Sequence, residues 1–201
     1  MTTSTKAALR EQVLAARSLV AGDVHAVQAR MLSEQLALAV SRDSTVCAYV
    51  PVGSEPGSIA MLDMLLRHSG RVLLPIARTA GDGTPMRLRW AEYRPGELVV
   101  GRWGLLEPPE PWLPDSVLAE AEMVVVPALA VDRRGVRLGR GRGYYDRSLD
   151  ARNPQARLIA MVRDEEFVEE LPADPHDVPM THVITPGRGV VALRAGEIAR
   201  E

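Results

Sequence analysis

A chain of 201 residues, 46% apolar and 25% charged, can bury one sizeable core, so we expect a single domain over residues 1–201 with a loose tail from about residue 193. A net charge of −2 and an aromatic content of 4% exclude the broad basic faces and stacking platforms of a general nucleic-acid binder. No apolar run approaches the ~18 residues of a membrane span, and the one cysteine, Cys47, cannot form a disulfide within the chain, so the expectation is a cytoplasmic protein without nucleic-acid or membrane partners, monomeric or dimeric.

Residues 5–20 place Leu9, Val13, Ala16 and Val20 on one stripe, which predicts an amphipathic helix. A second helix follows over 22–40, with Asp23 as N-cap and Val24, Val27 and Met31 on one face. TVCAYVP reads as a strand ended by Pro51. A helix then starts at Ser58 and closes at Gly70. RVLLPI is a buried strand, and residues 86–93 alternate as a half-exposed strand does. The stretch 94–114 is rich in Gly and Pro and predicts irregular structure with at most one short strand; its Trp103 reads first as loop packing and second as a pocket wall. AEMVVVPALAVD is the most apolar run and predicts a central strand broken near Pro127. A helix opening near Tyr144, a strand RLIAMV and a last strand HVITP complete the series.

Alternating helices and short apolar strands predict an α/β fold, a mainly parallel sheet with helices on both faces. Ligands of such sheets bind outside the carboxyl ends of the strands. The run VRLGRGRGYYDRSL lies just beyond the most buried strand. Gly139, Gly141 and Gly143 allow close backbone approach, successive amides form an anion nest, and Arg137, Arg140 and Arg142 offer bidentate donors. These features predict a polyphosphate cradle, although the run matches neither the Walker A nor the G-x-G-x-x-G spacing.

Asp146, three residues beyond the last glycine, calls for a cation between it and a phosphate, and magnesium is the usual one. Asp174 and Asp177, beside His176, are candidates for the second carboxylate. Of the 24 basic residues only Lys6 is a lysine. A lysine that persists in an arginine-dominated chain is either kept for its compact charge or indifferent on a loose terminus.

The segment VPALAVDRRGVRLGRGRGYYDRSL resembles the signature of the 5-formyltetrahydrofolate cyclo-ligase family. Every patterned position is met, from Val126 and Pro127 through Asp132, Gly135, Arg137, Leu138 and the three glycines to Tyr144, Tyr145 and Asp146. KAALR, YVPVGSEPGS, RVLLPI, WGLLEP and LPADPHDVPMTHVITP are similar to further family segments in the same order. The resemblance implies a three-layer α/β/α sandwich, of the kind shared by sugar-phosphate isomerases and coenzyme A transferases. It implies conversion of 5-formyltetrahydrofolate, polyglutamylated or not, to 5,10-methenyltetrahydrofolate with ATP and Mg2+.

It further implies ATP contacts from Lys6, Arg10 and the run Arg137, Leu138, Gly139, Arg140, Gly141, Arg142, Gly143, Tyr144 and Tyr145. Folate contacts follow for Val50, Glu55, Arg140, Gly141, Gly143 and Tyr144, magnesium ligands for Asp146 and Asp177, and catalytic roles for Lys6, Arg140 and Asp146. Lys6 and Arg10, four apart on one helix face, would reach one phosphate group together. The chain departs from the family at Glu55-Pro56-Gly57-Ser58, where Ser58 is still expected to cap the helix, and at Arg142, where Gly or Lys is frequent. The rival readings are another enzyme of the same architecture acting on a sugar phosphate or a coenzyme A ester, and a nucleotide-binding accessory or RNA-binding module without turnover.

Overall fold

The computed structural model describes residues 5–194. Helix α1 (Lys6–Ser18) starts where the Thr5 side chain accepts from the Ala8 amide at 3.3 Å. Helix α2 (Gly22–Ala39) is capped at Ala21 rather than Asp23, which sits in the first turn and still complements the helix dipole. Its buried residues are Ala29, Leu32 and Leu36, while Val24, Val27 and Met31 face solvent. The helix carries two interleaved apolar stripes, and the sheet takes the one with the longer-reaching leucines.

Strand β1 (Thr45–Cys47) is shorter than the 45–51 expected. The Ala48 amide still donates to the Leu73 carbonyl at 2.9 Å, but Pro51 has no N–H and the chain leaves as a loop. Helix α3 (Ile59–His68) has Ser58 at its N-cap position, yet that side chain makes no capping bond. The helix ends at Ser69, and Gly70 packs on Asp43, where an added Cβ would meet Asp43 Cα at 3.0 Å. Strand β2 (Arg71–Ile76) pairs antiparallel with β3 (Arg89–Glu92), half the length expected. In the segment read as irregular, β4 (Val99–Val100) and β5 (Leu106–Glu107) form a small hairpin.

Strand β6 (Ala121–Pro127) stops at the proline, as expected, and β7 (Ala130–Asp132) belongs to a different sheet with β8 (Arg137–Leu138). Strand β9 (Arg157–Met161) returns to the main sheet, and β10 (Phe167–Val168) completes the small one. Strand β11 (His182–Thr185) is not the last, because β12 (Gly189–Ala192) folds back antiparallel on it. The Leu193 amide donates to the Thr181 carbonyl at 2.8 Å; the rest of the expected tail lies outside the described residues.

The main sheet runs β12-β11-β9-β6-β1-β2-β3, with β11, β9, β6, β1 and β2 parallel and both edges antiparallel. One face packs Leu32, Leu36, Met61, Leu62 and Leu65 of α2 and α3 against Val46, Val125 and Ile159. The other packs Val124, Val126 and Leu158 against Trp90 of β3 and against Leu118 and Leu149, which come from short 3-10 turns rather than long helices. Helix α1 lies on the small sheet through Leu9, Val13 and Leu14.

Candidate active site

Beyond Pro127 the chain crosses from the main sheet into the β7–β8 pair, where Ala130 faces Leu138 and Val131 faces Arg137. Asp132, fully buried, fixes the intervening turn: Oδ1 accepts the Arg134 and Val136 amides at 2.9 Å each, and Oδ2 accepts the Leu171 amide at 3.0 Å. Gly135 adopts φ +88°, and its carbonyl accepts the Met180 amide at 2.8 Å. The aspartate and first glycine of the motif thus aim the glycine run without entering the cleft.

Leu138, expected to touch ATP, packs in the core with Leu129, Val136 and Leu171 and does not line the cleft. The Gly139 carbonyl accepts Arg10 Nε at 2.8 Å. Gly141 (φ +89°) and Gly143 (φ +68°) take left-handed conformations that other side chains resist. The helix expected near Tyr144 is absent: a turn leads into the 3-10 segment Leu149–Ala151. Ser148 Oγ holds the turn by donating to the Tyr144 carbonyl and accepting the Leu88 amide, both at 2.8 Å. No helix dipole acts here, so anion attraction rests on side chains and loop amides. Tyr144 and Tyr145 pack against the apolar face of the sheet, their hydroxyls buried without partners, and burial pushes the Tyr145 phenol well up.

Every carboxylate singled out for the cleft is held by a cation. Lys6 Nζ donates to Asp174 at 2.6 Å and Asp177 at 2.9 Å. Partial burial alone would lower the Lys6 ammonium, but those bonds outweigh it and hold it above its ordinary 10.5. The Lys6 bond holds Asp174 below the usual carboxylate range. Asp146 pairs with Arg137, which also donates to the Val178 carbonyl at 2.7 Å. Glu55, only 9% exposed, accepts Arg140 Nε at 2.9 Å and the Val52 amide at 3.0 Å. Among the described residues, the one group of three whose donor atoms lie close enough for one ion, within 4.8 Å, is Asp174, His176 and Asp177. Asp146, paired with Arg137, lines the same cleft as Asp177 but is not part of that three-residue group. The two carboxylates are hard oxygen donors of the kind magnesium takes.

One cleft of about 510 Å³ gathers Lys6, Arg10, Val50, Glu55, Arg137, Asp146, Asp174, Asp177 and the glycine run from Gly139 to Tyr145. It opens past the carboxyl ends of the parallel strands. Arg17, Tyr49, Arg102 and Trp103 also line it and were not singled out as ligands. Trp103 is a wall, half exposed, rather than loop packing. Arg17 looked like one more polar residue of an amphipathic helix, and no local pattern announced it. Among the described residues no helix is long and apolar enough to cross a membrane.

The pattern of the 5-formyltetrahydrofolate cyclo-ligase family matches residues 2–186. The chain is 54% identical to 5-formyltetrahydrofolate cyclo-ligase of Mycolicibacterium smegmatis over 194 residues, covering 96% of this chain and all of that one. It is 30% identical to the Escherichia coli protein so named, over 72% of this chain and 79% of that one. The NMR structure of Aquifex aeolicus 5,10-methenyltetrahydrofolate synthetase superposes with TM-score 0.71 at 25% identity, covering 98% of this chain and 96% of that one.

Proposed function

This chain belongs to the 5-formyltetrahydrofolate cyclo-ligase family, and we propose that it closes 5-formyltetrahydrofolate to 5,10-methenyltetrahydrofolate, driven by ATP with magnesium. The observation that carries the reading is convergence: α1, the loop after β1, the glycine run and the segment 174–177 all turn their charged residues into one cleft.

The formyl group on N5 is an amide, and its oxygen leaves poorly. Transfer of the γ-phosphoryl to that oxygen forms a P–O bond there and breaks the bond to ADP. N10 then attacks the activated carbon, loses its proton, and phosphate departs with the former formyl oxygen. Such chemistry needs alignment and charge neutralisation more than new covalent partners. Lys6, Arg10 and Arg140 hold the transferring group in line. Glu55, with its second oxygen fixed by the Val52 amide, orients the formamide side of the pterin. Val50 and the Tyr144 ring complete the apolar wall. Asp146 and Asp177 would hold magnesium, with Asp174 and His176 within reach of Asp177. The bound ion neutralises charge on the transferring phosphoryl. The proposed setting is cytoplasmic, in keeping with a buried, free Cys47.

Purified protein mixed with 5-formyltetrahydrofolate, ATP and magnesium should develop the absorbance of the methenyl product. The signal should vanish on omitting either ATP or magnesium and in Asp146→Ala, and Lys6→Arg should lose ATP use while keeping its melting curve. A folded, ATP-binding protein that gives no product would instead favour the accessory-module reading.

A further inference from the structure

The cations of the cleft fall into two groups. Lys6, Arg17, Arg137 and Arg140 each hold a carboxylate. Arg10, Arg102 and Arg142 also line it and form no salt bridge among the described residues. Arg10 is engaged by the Gly139 carbonyl beside the glycine run. The other two meet elsewhere, with the Arg102 guanidinium 4.9 Å and the Arg142 guanidinium 5.7 Å from the centre of the Trp103 ring. Arg142 belongs to the glycine run, yet its head group turns to the indole rather than into the phosphate cradle.

The Trp103 platform is fixed in place. It sits at the tip of the β4–β5 hairpin with φ +59°, a left-handed conformation that a bulky residue adopts at a cost. The Gly101 amide donates to the Leu105 carbonyl at 2.7 Å, and an added Cβ on Gly101 would lie 2.1 Å from Glu107 Cδ. Glu107 is gripped by Arg78 at 2.6 and 2.9 Å, and Arg78 stacks on Trp112 at 4.3 Å. The hairpin therefore holds a half-exposed indole over the cleft in a conformation its own turn does not favour.

An aromatic face beside two uncompensated guanidiniums suits an aryl ring carrying two carboxylates. We propose that Arg102, Trp103 and Arg142 form the specificity subsite for the aminobenzoyl-glutamate end of the folate. The indole stacks on the aryl ring, and the two arginines take the α- and γ-carboxylates. The inference rests on the folate reading above and assigns the cleft's remaining charge. The triphosphate answers to Lys6 and Arg10, and the dicarboxylate answers to Arg102 and Arg142.

The test crosses a truncated substrate with truncated side chains. The kcat/KM of wild type, Arg102→Gln, Arg142→Gln and the double variant is measured on 5-formyltetrahydrofolate and on 5-formyltetrahydropteroate, which lacks the glutamate, at saturating ATP. The KM for ATP is measured alongside. Two charge-assisted contacts predict a wild-type preference for the glutamate-bearing substrate on the order of 100-fold. That preference should shrink stepwise in the single variants and fall to a few-fold in the double variant. Equal losses on both substrates would overturn the proposal. So would a rise confined to the KM for ATP, which would assign the platform to the nucleotide. A wild type that turns over neither substrate removes the folate reading itself, and this subsite with it.

Discussion

Arg17 and Glu166 set the most informative stability test. Arg17 lies on the last turn of α1, the helix that presents Lys6 and Arg10, and its side chain is 1% exposed against 5% for Glu166. The pair is bidentate at 2.6 and 2.7 Å; Arg17 also donates to the Ala128 carbonyl at 2.8 Å, and Glu166 accepts the Arg163 amide at 2.8 Å. Removing one partner of such a pair strands a buried charge, at about 3–5 kcal/mol. A chain of this length loses roughly 2–4 °C of melting temperature per kcal/mol, so Arg17→Met should melt roughly 6–20 °C lower. The structure also predicts an order. Arg163 is buried too, its Nε and Nη1 lack partners, and Glu166 is the largest favourable charge it feels. Glu166→Leu therefore strands Arg17 and takes the largest favourable charge from Arg163, and it should cost more than Arg17→Met. The double variant should not recover wild-type stability, because Arg163 remains. Urea and thermal melts followed by circular dichroism decide it. A cost below about 1 kcal/mol for Arg17→Met, or a milder Glu166→Leu, would refute the reasoning.

Gly135→Ala should be costly, because left-handed φ costs an L residue roughly 1–2 kcal/mol and the new Cβ would lie 2.3 Å from the Met180 carbonyl oxygen. Gly83→Ala, at φ +86° with nothing within 4 Å, should show only the backbone part, and comparing urea midpoints separates the two. His25 and His182 are both lowered from the ordinary 6.5, first by burial and then by Arg163 and Arg157 respectively. The unfolded chain therefore takes up these protons first, so stability holds above about 6.5 and falls as pH drops through that value. His25→Gln with His182→Gln should flatten melting temperature between about pH 7 and pH 5, a window above that of ordinary carboxylates. An unchanged slope would assign the acid sensitivity elsewhere.

The helices, strand β2, the break at Pro127 and the glycine run were legible because each is written in local periodicity or in a residue with one backbone habit. The exposed face of α2 was not legible, since Val24, Val27 and Met31 share helical spacing with the stripe that the sheet takes. The expected helix after the glycine run is a turn instead, pinned by a Ser148 bond to the Leu88 amide 60 residues away that no local pattern shows. Lys6 was singled out by its rarity, but its carboxylates lie 168 and 171 residues away, a separation no spacing argument reaches. Trp103 was underrated because exposure and turn conformation belong to the folded hairpin.

Burial then sorts the ion pairs of the cleft by what they can do. Arg17–Glu166 is dry, so its partners cannot be exchanged without a large penalty, and it serves to dock α1. The Lys6 cluster is different, with Lys6 20%, Asp174 50% and Asp177 12% exposed, so it is wetter than the Arg17 pair and its bond to Asp174 contributes little net stability. On the proposed reading, an incoming triphosphate can take Lys6 from its carboxylates at small cost. The Asp174 and Asp177 oxygens are then released at the moment a cation arrives with the nucleotide. Arg140–Glu55 falls between the two, its arginine half exposed and its glutamate nearly buried. There an exchange frees Arg140 for phosphate and leaves Glu55, still bound to the Val52 amide, turned toward the pterin. The single lysine of the chain thus stands between two carboxylates, where a compact charge on a flexible stem can move between carboxylate and phosphate.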